Sequence, residues 1–179
     1  GGDIEGALAT YQAMIDYDGK NGNAYYLHGC LSLKQQDTDT AKKDFANAVK
    51  YNPDDYELYV GIYENLAANN MTDEGEEYLN RAFDIKGNSA ENLTWRGRIY
   101  YLLGQYANAV KELEEAVKKD SAKANLYLAQ VYEAEEDSAN AEKYYQAYVD
   151  SGTADSVAMN ALAEIQMGKG NYEAALEDI

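Results

Sequence analysis

A small residue returns at a fixed interval along the whole chain. Ala7, Ala41, Gly75, Ala109, Ala141 and Ala175 are separated by 34, 34, 34, 32 and 34 residues. Each is followed by similar neighbours. Thr40-Ala41-Lys42-Lys43-Asp44-Phe45 leads to Ala48-Val49, and Asn108-Ala109 leads to Leu113 and then Ala116-Val117. The N-terminal copy runs from Ala7 through Tyr11, and the copy at Ala141 runs through Tyr145 to Tyr148-Val149. Self-similarity at such a period marks stacked supersecondary units rather than one closed globule.

A second small residue stands twelve before most of these marks, at Gly29, Gly97, Ala129 and Ala163. Each period therefore holds two amphipathic stretches of about a dozen residues, read as two short helices joined by a tight turn. Asn52-Pro53, Gly87-Asn88 and Ser151-Gly152 separate the periods, and all are turn or helix-stop residues. Thr38, Thr72 and Ser138 stand three before an anchor and are expected to cap the second helices. The lone proline, Pro53, falls between periods, as it must in a chain that is nearly all helix.

These residues resemble the tetratricopeptide repeat family, whose unit is a 34-residue helix–turn–helix. Leu128-Ala129 with Tyr132, Ala141 and Tyr145 match its pattern. So do Gly97, Tyr100, Gly104, Tyr106, Ala109, Leu113 and Ala116. Gly29, Ala41, Phe45, Ala48 and Pro53 carry it in the preceding copy. The implied fold is an all-α, right-handed superhelix, a single solenoid over residues 1–179. It comprises a half repeat (3–19), repeats 22–55, 56–89, 90–121 and 122–154, and a partial repeat (155–179). An armadillo or HEAT array would need a period of about 40 or more.

Antiparallel helices approach closely only where small side chains face each other. Gly29, Gly97, Ala129 and Ala163 are expected to meet Ala41, Ala109, Ala141 and Ala175. One repeat departs from this: Tyr63 stands in the first slot and Gly75 in the second, a compensating pair. The repeat 90–121 is two residues short, and the loss is expected in the turn around Lys119–Ala122. Both ends fall inside a repeat, so the native protein is expected to be longer. Uncapped terminal faces are expected to self-associate.

Chemistry finds little footing. His28 and Cys30 are the only residues of their types, which leaves no Cys-based metal cage and no cofactor site. Two apart on a helix, they point to different faces. Asp37-Thr38-Asp39 lacks the rest of a calcium loop and reads as a helix start. Glu114–Glu115 and Glu135–Glu136 are adjacent on surface helices, without the enclosure that acid–base catalysis needs. The sequence reads as no enzyme.

Fifteen basic against 32 acidic residues give a net charge of −17. The basic residues are scattered, with Lys42–Lys43, Lys118–Lys119 and Arg96/Arg98 the densest groups. Nucleic acid needs a clustered basic surface, so it is not an expected partner. No apolar run is long enough to insert in a membrane. The composition fits exported, cell-envelope and cytoplasmic proteins alike.

Resemblance to the family implies a concave groove lined by first helices. By register its residues are Tyr26, Cys30, Leu33, Val60, Glu64, Thr94, Arg98, Tyr101, Leu126, Gln130, Glu133, Asn160 and Glu164. None of the pairs Tyr26/Cys30, Val60/Glu64 and Thr94/Arg98 is the Lys/Asn pair with which chaperone-tail receptors of the family hold a terminal carboxylate. The expected partner is a protein or peptide, basic or amphipathic, bound by a scaffold. The alternative is a peptide-sensing regulatory domain that controls an attached output domain.

Overall fold

A three-residue turn recurs inside the repeats and folds each one back on itself. It follows α2 (Gly22–Lys34), α4 (Tyr56–Ala68), α6 (Ala90–Leu102) and α8 (Ala122–Ala134). Its middle residue is left-handed each time: Gln36 (φ 63°), Asn70 (60°), Gly104 (69°) and Glu136 (60°). That conformation lets the next amide reach back into the last helical turn. Asp37 donates to the Ser32 carbonyl at 2.9 Å, Met71 to Leu66 at 3.0 Å, Gln105 to Tyr100 at 2.8 Å and Asp137 to Tyr132 at 2.8 Å. Orphan carbonyls of the first helix are thereby satisfied. The chain reverses directly into α3 (Thr38–Tyr51), α5 (Thr72–Ala82), α7 (Tyr106–Val117) and α9 (Ser138–Asp150).

The computed structural model describes residues 3–168 and 170. Among these the secondary structure is all helix. A leading α1 (Ile4–Tyr17) and a closing α10 (Ser156–Gly168) flank the four hairpins. The expected contact of Ala163 with Ala175, and the second helix of the partial repeat, lie outside the described residues.

The second helices do not start where the hydroxyls predicted. Thr38 and Ser138 are first helical residues, and the caps are Asp37 and Asp137, whose carboxylates accept from the Thr40 and Asn140 amides. α5 begins after Met71 and has no side-chain cap. A carboxylate one residue earlier is the stronger acceptor for the free amides of the first turn, and it also faces the positive helix end.

The chain forms two compact blocks, one ending at Lys86 and one beginning at Gly87. In the first, α2 packs on α3, α4 on α5, and α2 on α4. Its core includes Leu33, Phe45, Val49, Ile62, Leu66 and Leu79, all 2% exposed or less. In the second, α6 packs on α7, α8 on α9, α6 on α8, and α9 on α10. Leu113, Leu128 and Val131 anchor its core, with Tyr145, Tyr148 and Leu162 forming a neighbouring cluster.

The helix crossings differ from the expected small-on-small pattern. A Cβ at Gly29 would lie 2.9 Å from Phe45 and 3.1 Å from the Asp44 Cβ. One at Gly97 would lie 2.6 Å from Leu113 Cδ2. The small residue thus receives the large side chain one turn beyond the anchor, because side chains lean toward the helix N-terminus. Ala41, Ala109 and Ala141 are nonetheless fully buried. In the repeat 56–89 the two marks do meet. A Cβ at Gly75 would stand 3.0 Å from Tyr63 Cδ2 and 3.3 Å from its Cα.

Where the short repeat loses its two residues depends on the neighbour it is set against: beside the repeat 56–89 its closing connection is shorter, 118–121 against 83–89, while beside the repeat 22–55 its second helix is shorter. α7 has 12 residues where α3 has 14, and Lys118–Ser121 is as long as Asn52–Asp55. Asp120 (φ 64°) turns left-handed, and Ser121 donates to the Ala116 carbonyl at 3.1 Å. Ser121 then caps α8 at once through the Ala124 amide.

Two outcomes follow. Gln36→Gly and Glu136→Gly each stabilise the protein by about 1 kcal/mol, while Gly104→Ala costs about the same, since only glycine adopts this φ without a Cβ penalty. Urea melts read all three. In a double-mutant cycle of Tyr63→Ala and Gly75→Ala, the Gly75→Ala cost shrinks by ~0.5 kcal/mol or more once the tyrosine ring is gone.

Candidate functional site

The first-helix side of each block carries the residues predicted by register. In the N-terminal block, Tyr26 on α2 is half-buried. Its ring lies 6.2 Å from Phe45, and its hydroxyl accepts from Asn65 Nδ2 at 3.3 Å on α4. Gly61 makes room for it: a Cβ there would come within 2.5 Å of the hydroxyl. Cys30 stands one turn on along α2, half-buried. Burial pushes up both the Tyr26 phenol and the Cys30 thiol. Glu64 is exposed beside them.

Two predicted positions in this block are not available to a partner. Val60 and Leu33 are each 2% exposed and belong to the core. Buried core positions on α4 and α2, they present nothing at the surface. Gly61 and Asn65, which register did not pick out, shape the face instead.

In the C-terminal block Thr94 is likewise buried. Its hydroxyl bonds the Ala90 carbonyl at 2.7 Å and Ser121 Oγ at 2.8 Å, tying α6 to the cap of α8. Arg98 is half-buried, with Nη1 donating to the Tyr127 hydroxyl at 3.2 Å. Its guanidinium lies 5.4 Å from the ring centres of both Trp95 and Tyr127. Lys123 approaches Trp95 as well, at 5.6 Å. These contacts hold cations against aromatic faces and were not legible from register. Tyr101 is half-buried against Tyr106, 6.1 Å between centres. Leu126 packs on both core clusters, Gln130 is partly exposed, and Asn160 is exposed.

Glu133 and Glu164 come together at one feature. With Ser138, Ala161, Ile165 and Gly168 they line a cavity of about 460 Å³ between α8, the start of α9, and α10. Tyr145, buried on α9, donates its hydroxyl to Glu133 Oε2 at 2.8 Å. Burial first, and Glu133 second, raise the Tyr145 phenol above its ordinary value.

His28 and Cys30 do diverge. His28 Nδ1 lies 2.6 Å from Asp44 Oδ2 across the α2–α3 crossing, both side chains largely buried. Burial raises the Asp44 carboxyl against the lowering effect of the imidazole. Among the described residues no three His, Cys, Asp or Glu side chains are grouped to hold a metal ion.

The raised Tyr145 phenol sets an alkaline limit. An unfolded tyrosine ionises near pH ~10. The folded group holds its proton above that, so its contribution is complete below pH ~10 and fades as pH rises further, by up to about 1.4 kcal/mol per pH unit. Thermal melts at pH 9, 10 and 11 should show a falling Tm, with a shallower fall in Tyr145→Phe.

Two family models, each described as tetratricopeptide repeat, match residues 94–156 and 22–55, together more than half of the chain. Several solved structures share the fold. PilW, titled a widely conserved type IV pilus biogenesis factor, is 19% identical with a TM-score of 0.65, covering 98% of this chain and 83% of its own. MamA is 18% identical with a TM-score of 0.55, covering 89% and 88%. Human IFIT1, solved as a dimer with PPP-AAAA, is 19% identical with a TM-score of 0.66, and the match covers 99% of this chain and 46% of that one. No curated protein matched.

Proposed function

This chain belongs to the tetratricopeptide repeat family, and from that premise we propose that it is a non-enzymatic scaffold whose first-helix faces bind a protein partner as an extended or helical peptide. Its repeats form an all-α tandem array, and a protein-interaction role comes with the family. The finer reading takes residues 1–179 as a single array, with the half repeat and partial repeat at its ends.

The carrying observation is the character of the two first-helix faces. Tyr26, Cys30 and Glu64 share one block; Arg98, Tyr101, Gln130, Asn160 and Glu164 share the other. All are at least partly exposed. Half-buried phenols beside charged groups suit protein contact, since a ring adds contact area while its hydroxyl stays hydrogen-bonded. Val60 and Thr94 act behind this surface by fixing the helices that present it, and Leu126 does so in part.

The partner is basic or amphipathic in this reading, because the chain carries −17 and an acidic field speeds encounter with a cationic surface. The same charge argues against nucleic acid, unlike the PPP-AAAA complex of IFIT1. Among the described residues no helix is long and apolar enough to cross a membrane. Self-association through the terminal faces belongs to the same proposal: α1 leaves Met14 40% and Tyr17 95% exposed.

Pull-downs with the wild type, Tyr26→Ala, and Arg98→Glu/Tyr101→Ala test the reading, with circular dichroism melts to establish that each variant is folded. Loss of recovered partners from at least one folded variant is expected. Identical recovery by all three would move the interaction to the second-helix side or the turns.

A further inference from the structure

We infer that the cavity between α8, the start of α9, and α10 receives a lysine or arginine side chain from an extended partner peptide. The inference rests on the scaffold reading above and gives one subsite its chemistry.

The cavity's volume, about 460 Å³, lies within the range of ligand-binding clefts. Beside Ser138 and Gly168, its described lining has two chemical parts. Ala161 and Ile165 supply an aliphatic surface, while Glu133 and Glu164 supply carboxylates. No described lining residue is cationic. Lysine and arginine have the complementary division, an apolar stem ending in a charged head. An acidic head would meet two like charges, and a purely apolar side chain would offer neither carboxylate a counter-charge.

The carboxylates are not equivalent. Glu133 is already oriented, because the Tyr145 hydroxyl holds Oε2 at 2.8 Å. Tyr145 is 3% exposed and keeps its proton, so it stays a donor and Glu133 stays an acceptor. An oriented carboxylate loses little rotamer freedom when a cation arrives. Glu164 lies on α10, exposed on the facing wall. A guanidinium, with its planar fork of donors, engages a fixed carboxylate better than an ammonium does.

The test uses the full 179-residue chain, labelled with ¹⁵N. The probes are four acetylated, amidated pentapeptides, Ala-Ala-X-Ala-Ala, with X as Arg, Lys, norleucine or Glu. Arg and Lys peptides should shift the amides of Glu133, Ser138, Ala161, Glu164 and Ile165, with Arg tighter. Norleucine and Glu peptides should not. Glu133→Gln and Glu164→Gln should each weaken the Arg peptide roughly tenfold, the loss expected of one charge-assisted hydrogen bond. Glutamine at 133 keeps an oxygen to accept from Tyr145, so the fold is preserved, and thermal melts check this.

Equal affinity in wild type and both Gln variants would overturn the assignment. So would shifts spread evenly over the acidic surface, or equal binding of free ethylguanidine, which would make this a small-molecule site. Shifts of residues 169–179 in the Gln variants without peptide would reveal an occupant from the chain itself, and would overturn it too. Basic-peptide shifts confined to Tyr26, Cys30 or Tyr101 would reject the cavity yet leave the scaffold reading standing. The reading that the first-helix faces bind the partner falls only if the pull-down variants recover every partner.

Discussion

Gly97 has no side chain, and Leu113 fills the space one would need. This close approach of antiparallel helices is the constraint on which the rest depends. Once two helices lie that close, a connection of three residues is enough, and the chain can turn only through a left-handed residue. The position is occupied by Gln36, Asn70, Gly104 and Glu136. Three of the four lack glycine's freedom there, and the backbone adopts the conformation anyway. Packing at the crossing outweighs a local cost of about 1 kcal/mol. The compensation at Tyr63 and Gly75 follows from the same constraint, with the bulk and the gap exchanged between partners.

Hairpins built this way leave the first helices of neighbouring repeats side by side within each block, and that arrangement makes the candidate faces. The seam itself must be filled, so some positions on these faces are consumed by packing. Val60 is buried in the core, and Thr94 bridges the seam to Ser121. Tyr26, Arg98 and Tyr101 lie at its edge, half-buried, where a ring or stem can pack below while a polar head remains at the surface. The proposed recognition surface therefore consists of the outer parts of residues whose inner parts hold the helices together.

This explains what could be read in advance. The period, the helix pairs and the crossing points are imposed by small residues at fixed intervals, which a sequence displays directly. Partner choice at a crossing is less visible. Gly29 meets Phe45 rather than Ala41, because the lean of side chains along a helix moves the contact by a turn. The cap at Asp37 was hidden behind Thr38 for a similar reason: two adjacent residues both suit a helix start, and the better acceptor prevails. Burial of Val60 and Thr94 was hidden too. Register fixes a direction on a helix but not how much of that direction a neighbouring helix covers. The stacking of Arg98 between Trp95 and Tyr127 joins residues on different repeats and has no periodic signature.

Five of the 18 tyrosines gain a common explanation from their contacts. A phenylalanine would fill nearly the same volume, but a phenol fills a core and can still donate or accept at its rim. Tyr26 reaches Asn65 on the next first helix, Tyr127 receives Arg98, and Tyr148 reaches the Thr153 carbonyl beyond its own helix. Tyr56 donates to Ile85 in the same manner. Each bond links two elements and fixes the angle at which they pack, which dispersion alone defines loosely. Tyr145 carries the principle to the candidate site: its ring belongs to the core, and its hydroxyl orients a carboxylate at the cavity wall. The packing that stabilises the repeat thus also sets the direction of an acidic group at the cavity wall. The protein's excess charge acquires geometry there, where the exposed Glu133 is held by a buried hydroxyl.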